Sequence, residues 1–164
     1  MKVIVNGTLV PQEQSQCSVL GWLEGPGIFE TIKTVDGKPW ALSRHMRRAV
    51  NSAARQKIAL PCEELVRESI ATLLKVESHP TGLLRVSFDA TGNWAAVHLP
   101  YIENFLPAKV GIHGKTLVID GVPVKSYPYN HRLEILEQAR SNGFNEALVT
   151  SSDGKVCEGS VCNL

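Results

Sequence analysis

Asn6-Gly7 and Asp36-Gly37 each interrupt a run of strand-forming residues. Asn-Gly and Asp-Gly are strong two-residue hairpin turns, because both central positions must take positive φ, which Asn, Asp and Gly tolerate best. The first turn predicts a hairpin of Lys2–Val5 with Thr8–Val10, and the second a hairpin of Phe29–Val35 with Lys38–Leu42. Gly82–Phe88 and Trp94–Leu99 read as a further strand pair joined by a loop containing Thr91-Gly92-Asn93. Ala147–Thr150 and Lys155–Cys157 flank Asp153-Gly154 in the same manner. Such a chain builds much of its structure from hairpins.

Between the hairpins the apolar period changes from two to that of a helix. Ser43 is a plausible N-cap for a helix from Arg44 to about Gln56, with Met46, Ala49, Val50 and Ala53 on one face. A second helix follows Pro61, carrying Leu65, Val66, Ser69, Ile70, Leu73 and Leu74. A third runs from about His131 to Asn142, with Leu133, Leu136 and Ala139 on one face, and stops at Gly143 as a C′ residue. The stretch from Pro100 to Pro107 changes the pattern, and two strand candidates follow, Lys109–Ile112 and Thr116–Ile119. Asp120 to Lys125 shows little regularity. The expected boundary lies near Ile119: an α+β domain over 1–119, then a second domain over 120–164 that begins and does not finish. The fold class is α+β.

The 164 residues are 43% hydrophobic and 20% charged, with a net charge of +1, as expected of a soluble globular protein. That charge leaves no electrostatic footprint for nucleic acid or an anionic membrane. The N-terminal MKVIVNGTLVP lacks the apolar core and small-residue cleavage site of a signal peptide, and no apolar run approaches the ~20 residues a membrane span needs. The expected location is the cytoplasm. Cys17, Cys62, Cys157 and Cys162 form no C-x-x-C pair and read as reduced thiols, and no metal site is expected. His79, His98, His113 and His131 likewise lack ligand spacing.

The most informative stretch is KSYPYNHRLEILEQARSNGFNEALVTSSDGKVCEGSVCNL, from Lys125 to Leu164. It reads as lysine, loop, helix, a G-x-x-E-A segment from Gly143 to Ala147, a hairpin, and an E-G-S-x-x-N-L segment from Glu158. Upstream, Gly25-Pro26-Gly27-Ile28-Phe29-Glu30-Thr31 fits G-x-G-x-F-E-[TG], and Leu42, His45 and Arg48 fit most of L-x-x-H-x-x-R-L, with Ala49 replacing the last leucine. In this order the parts resemble the class-IV family of enzymes that use pyridoxal 5′-phosphate (PLP). That family includes branched-chain aminotransferases, D-amino-acid aminotransferases and aminodeoxychorismate lyases. One departure is Pro26, where the family usually has an aspartate; it removes a polar group but not the turn.

The resemblance implies a role for each matching residue. Lys125 would form the Schiff base with the cofactor aldehyde, which requires a neutral amine. Glu158 would sit beside the pyridine nitrogen and keep it protonated, so that the ring can delocalise a carbanion at the substrate's α-carbon. Arg48 would bind the cofactor phosphate through its forked, permanently charged donors, with Arg44 and Arg47 on the solvated face of the same helix and His45 structural. Tyr129 would approach the ring hydroxyl, a role for which Tyr127 competes. Phe29 would line the substrate pocket, where D-amino-acid aminotransferases tend to have tyrosine. Arg85 lies near an arginine that some members use for the substrate carboxylate; a surface strand arginine is the other reading.

The resemblance also implies the class-IV PLP fold, with cofactor between an N-terminal α+β domain and a larger second domain. It implies a homodimer and a small-molecule amino substrate, without nucleic-acid or membrane partners. K-S-Y-P-Y-N-H-R-L-E with G-K-V-C-E-G-S is closest to the lyases, which release pyruvate and 4-aminobenzoate, a folate precursor. Branched-chain or D-amino-acid aminotransferase is the alternative enzyme, and a truncated or non-catalytic relative the alternative to an enzyme. Pro26 and the short chain favour the last; Arg48, Lys125 and Glu158 together oppose it. Family members run on past the equivalent of Asn163-Leu164 into another strand and most of a second domain, so the expectation is a portion of a longer polypeptide.

Overall fold

The computed structural model describes residues 1–113, 125–151 and 153–162. The strand expected at Thr116–Ile119 and the boundary expected at Ile119 lie outside them. The chain forms two compact units, one of Met1–Glu103 with Lys125–Pro128, the other of Asn104–Val124 with Tyr129–Leu164. In chain order the elements begin with β1 (Lys2–Val5), β2 (Thr8–Pro11), β3 (Gly27–Val35), β4 (Lys38–Pro39), α1 (Leu42–Gln56), α2 (Glu63–Val76), β5 (Thr81–Asp89) and β6 (Trp94–Pro100). They continue with β7 (Val110–His113), β8 (Ser126–Tyr127), α3 (Asn130–Ser141), β9 (Glu146–Thr150) and β10 (Val156–Gly159).

The first unit is an antiparallel sheet in the order β2-β1-β6-β5-β3, with β4 and β8 pairing opposite ends of β3. Its tight turns are those expected: Asn6 and Gly7 have φ of 50° and 86°, Asp36 and Gly37 of 47° and 70°. β3 and β5 pair along their whole length, from Gly27↔Asp89 to Val35↔Thr81. Side chains alternate across a strand. Ile28, Glu30, Ile32 and Thr34 therefore share one face of β3, and Phe29 and Thr31 the other. α1 packs on β3, and α2 on β1, β2 and β6. Met46, Ala49 and Ala53 of α1 and Val66, Ile70, Leu73 and Leu74 of α2 are buried, while Val50 and Leu65, expected with them, stay half exposed.

Two local expectations are corrected here. Ser43 is not the N-cap; Ala41, with φ of 50°, holds that position without a side-chain cap. The Ser43 hydroxyl instead accepts a hydrogen bond from Arg67 Nη2 of α2 at 3.1 Å. The strand expected to reach Leu42 stops at Pro39, because proline has no N–H for the ladder and the left-handed Ala41 turns the chain into α1.

In the second unit β9 pairs antiparallel with β10 and parallel with β7, Val110 opposite Glu146 and His113 opposite Val149. The strand near 110, assigned by sequence to the first domain, thus finds its partner in the second unit. α3 packs on β9 and β7, and Ile135, Ala139 and Ala147 form a core. Leu133, expected on the buried face, is half exposed, and Ile135 takes its place. Gly143, with φ of 80°, ends the helix as expected. Among the described residues no helix is long and apolar enough to cross a membrane, and no cluster of His, Cys, Asp and Glu could hold a metal ion.

Candidate active site

In the first unit, the sheet face that carries Phe29 gathers aromatic and cationic groups. Lys125 immediately precedes β8, and its carbonyl accepts the Phe29 N–H at 3.0 Å, so the lysine is tied to β3 by backbone. Its Nζ stands 5.1 Å from the centroid of the Phe29 ring. Trp22 meets Phe29 edge-on at 4.8 Å, and Tyr127 lies 5.4 Å from Trp22. Arg85 stacks its guanidinium 4.2 Å from the Trp22 ring and 5.8 Å from Phe29, and its Nη1 donates to the Leu20 carbonyl at 2.8 Å. The structure thus brings together Lys125, Phe29 and Arg85, three of the residues singled out by sequence. The segment bearing Trp22 is held down by Ser87, whose hydroxyl donates to the Gly21 carbonyl at 2.6 Å. Gly21 must be glycine: its φ is 86°, and a Cβ would lie 2.7 Å from Val97 Cγ2.

Tyr127 is buried, and its hydroxyl has no hydrogen-bond partner among the described residues. Burial, with Asp89 and Cys17 nearby, pushes this phenol well above its ordinary range, so it stays protonated. Pro26, the departure from the family pattern, is exposed, and its carbonyl accepts the Ala90 N–H at 2.9 Å. The chain still bends here, with Gly25 at φ of 78°.

The opposite face of β3 carries Glu30, only 1% exposed. Three donors from α1 converge on its carboxylate. Arg48 forks onto it, Nε at 2.7 Å from Oε1 with Nη2 on Oε2, and His45 Nδ1 lies 2.7 Å from Oε2. A carboxylate only accepts, so His45 presents Nδ1–H to it. Burial alone would raise the Glu30 carboxyl, but the hydrogen bonds from Arg48 and His45 outweigh it and hold the group below the usual carboxylate range. His45 thus ties α1 to Glu30 of β3. Arg48 commits Nε and Nη2 to Glu30.

The second unit holds Glu158 and Tyr129. A register shift between Val156 and Glu158 marks an irregularity in the β9–β10 pairing, a feature that re-aims side chains. The Glu158 carboxylate pairs with Arg132 of α3 through Oε1 and Nη2. The Tyr129 hydroxyl donates to the Ser160 carbonyl at 3.3 Å. Burial raises this phenol and outweighs the lowering effect of Arg132, so the proton remains available to that carbonyl. Glu146 anchors the following turn: its carboxylate accepts the Ser160 N–H at 3.0 Å, the Ser160 hydroxyl and the Val161 N–H at 3.4 Å. These bonds hold Glu146 below the carboxylate range although burial alone would raise it. Asn163 and Leu164, the last letters of the motif, lie outside the described residues.

Sequence reasoning did not single out Trp22, Arg132 or Glu146 as functional. Glu146 stood in the quoted G-x-x-E-A segment, which was a usable signal. Trp22 and Arg132 fall outside every quoted motif except as bystanders, and only their contacts distinguish them.

The family model for amino-transferase class IV matches residues 27–164. A D-alanine aminotransferase of Staphylococcus haemolyticus is 33% identical over 85 residues, covering 49% of this chain and 30% of that protein. A provisionally named branched-chain-amino-acid aminotransferase of Methanocaldococcus jannaschii is 27% identical over 185 aligned positions, covering 100% of this chain and 64% of that one. A solved structure provisionally identified as a 4-amino-4-deoxychorismate lyase superposes with a TM-score of 0.71 at 26% identity, covering 84% of this chain and 58% of that one. The branched-chain aminotransferase of Thermoproteus uzoniensis with norvaline gives a TM-score of 0.79 at 22% identity, covering 98% and 63%. The chain therefore spans less than two thirds of the length of each of these proteins.

Proposed function

Because the chain belongs to the amino-transferase class IV family, whose members depend on PLP, we propose that it works in a PLP enzyme acting on an amino substrate. The reaction we favour is that of aminodeoxychorismate lyase. The observation that carries the cofactor reading is Lys125 Nζ against the Phe29 ring, with the Lys125 backbone bonded to Phe29 of β3. Each unit by itself supplies groups whose chemistry suits PLP: the first an amine beside an aromatic wall and the Arg48 guanidinium, the second a carboxylate paired with an arginine. PLP, when bound, supplies an electrophilic carbonyl carbon and a ring that takes up the electron pair left when the substrate's α-C–H bond breaks.

The chain's own residues have the following tasks. Lys125 Nζ would hold the cofactor through its carbonyl carbon, and as a free amine would be the base that moves the proton at the substrate α-carbon. Phe29 and Trp22 keep water from one side of that amine. Glu158 would keep the ring nitrogen protonated, Arg48 would hold the phosphate, and Tyr129 would approach the ring hydroxyl. Arg85 meets the substrate carboxylate; a planar fork suits that group. A homodimer, carried over from the family, and a cytoplasmic location complete the reading.

The lyase is supported by the residue patterns around Lys125 and Glu158 and by the likeness at 26% identity to a protein given that name. The D-alanine aminotransferase match at 33% over half the chain favours the second reading, an aminotransferase. Two measurements test the proposal. Borohydride reduction of the holoenzyme should fix the cofactor to Lys125, and a label mapped to another lysine, such as Lys115, overturns the site. Aminodeoxychorismate should give pyruvate and 4-aminobenzoate without added keto acid. Turnover of leucine with 2-oxoglutarate, and no 4-aminobenzoate, makes the enzyme an aminotransferase.

A further inference from the structure

We propose that Arg132 is a positioning residue: its guanidinium fixes the orientation in which Glu158 meets the ring nitrogen of the cofactor. The inference rests on the role of Glu158 given above. Arg132 stands in the first turn of α3, and its side chain is only 11% exposed. Nη2 pairs with Glu158 Oε1, while Nη1 donates to the carbonyls of Gly159 at 3.4 Å and Ser160 at 3.3 Å. One rigid planar group thus grips both the carboxylate and the backbone of the same short segment. That sets the angle between the Glu158 side chain and its own main chain.

The segment itself is held from both sides. The Ser160 carbonyl that accepts from Arg132 also accepts the Tyr129 hydroxyl, and the Tyr129 ring lies 5.7 Å from the guanidinium carbon. The Ser160 N–H and hydroxyl are fixed by the buried carboxylate of Glu146 on β9. A glutamate on β10 would otherwise sample several rotamers and lose that freedom on meeting the ring. Arg132 removes the freedom in advance. Lysine cannot do the same, since a point charge satisfies the carboxylate or the carbonyls but has no fork to span them.

The test uses the holoenzyme with Arg132→Met, Arg132→Lys, Glu158→Gln and the Arg132→Met/Glu158→Gln pair. Release of 4-aminobenzoate from aminodeoxychorismate gives kcat and KM, and near-visible circular dichroism reports the bound cofactor directly. Arg132→Met should lower kcat about 10- to 100-fold, the usual effect of removing a group that orients a site residue, with KM little changed. It should also alter the dichroism, and Arg132→Lys should recover part of both. In the Glu158→Gln background, Arg132→Met should add less than about threefold, since residues acting through one another are not additive. Equal losses in both backgrounds overturn the proposal, as does a lowered melting temperature with unchanged kcat and dichroism. If Arg132→Met does not fold, Arg132→Lys decides: reduced kcat with altered dichroism supports positioning, and wild-type values refute it. Wild-type kcat in Glu158→Gln removes the ring partner itself, and the positioning role with it, an outcome distinct from failure of Arg132 alone.

Discussion

Replacing Gly27 by alanine would put a new Cβ 2.1 Å from the Phe88 carbonyl oxygen and 2.5 Å from the Tyr127 hydroxyl. Carbon–oxygen contacts settle near about 3.3 Å, so roughly 1.2 Å of movement is needed against Phe88. The Phe88 oxygen belongs to the backbone of β5, which is paired on both sides and cannot swing away. The Tyr127 ring is confined by Trp22 and Phe29. Overpacking costs about 1–3 kcal/mol, here near the top of that range because the obstacle is main chain. Restricting the unfolded chain returns up to about 1 kcal/mol. The net loss is about 2 kcal/mol, or roughly 4–8 °C in melting temperature for a chain of this size.

The strand free to yield is β8, which is two residues long and pairs Gly27 with Tyr127. Its displacement passes to Lys125, whose carbonyl is bonded to Phe29. A misplacement of about 1 Å costs on the order of 100-fold in rate, so Gly27→Ala should lose far more turnover than stability. Thermal melts, the near-visible absorption of the holoenzyme and kcat measure the three effects. Gly25→Ala is the control: nothing lies within 4 Å of its Cβ, and only its φ of 78° is strained. It should lose about 1–2 kcal/mol and leave the cofactor absorption intact. A Gly27→Ala protein melting within about 1 °C of wild type, with kcat within about twofold, would refute the steric argument.

Glu30→Gln should be strongly destabilising, because one amide oxygen cannot serve three converging donors. The loss is about 3 kcal/mol, the low end for a broken buried pair, since Arg48 can reach water. Denaturant unfolding checks it, and a loss below about 1 kcal/mol would mean that the Arg48–Glu30–His45 cluster adds little. His98 gives a pH signature. It is fully buried, with Nε2 2.7 Å from the Thr34 hydroxyl and Nδ1 on the Glu77 carbonyl at 2.5 Å. Burial, helped by His79 and opposed by the Glu77 carbonyl, lowers its pKa from 6.5. The unfolded chain therefore binds the proton first, and the stability from neutral His98 is complete above pH 6.5 and lost as pH falls through the folded value. Glu30, Glu146 and Asp89 are also lowered, and their contribution disappears only at lower pH, below their ordinary values of 4.5 and 3.8. Melting temperatures of wild type and His98→Asn should converge between about pH 7 and 5; parallel curves would exclude this role.

Sequence by itself determined what depends on a residue and its near neighbours. Asn6-Gly7 and Asp36-Gly37 had to be hairpin turns because few other pairs accept positive φ twice, and both adopt it. Gly143 ended α3 for the same reason. The Lys125 and Glu158 patterns carried the family resemblance, and the family match covers both. Only tertiary structure decided which surface each element would meet. Leu133 and Ile135 both suit a helix interior, and the position of β9 and β7 chose Ile135. Strand β7 carries nothing in its own residues that names a partner 36 positions away, yet Val110 pairs with Glu146. Arg132 reads as one more charge on a helix face until the fold brings β10 beside it. Local conformation is set by sterics within a few residues, whereas pairing and burial are set by whatever distant segment competes best for the same surface. A single chain of letters does not display that competition.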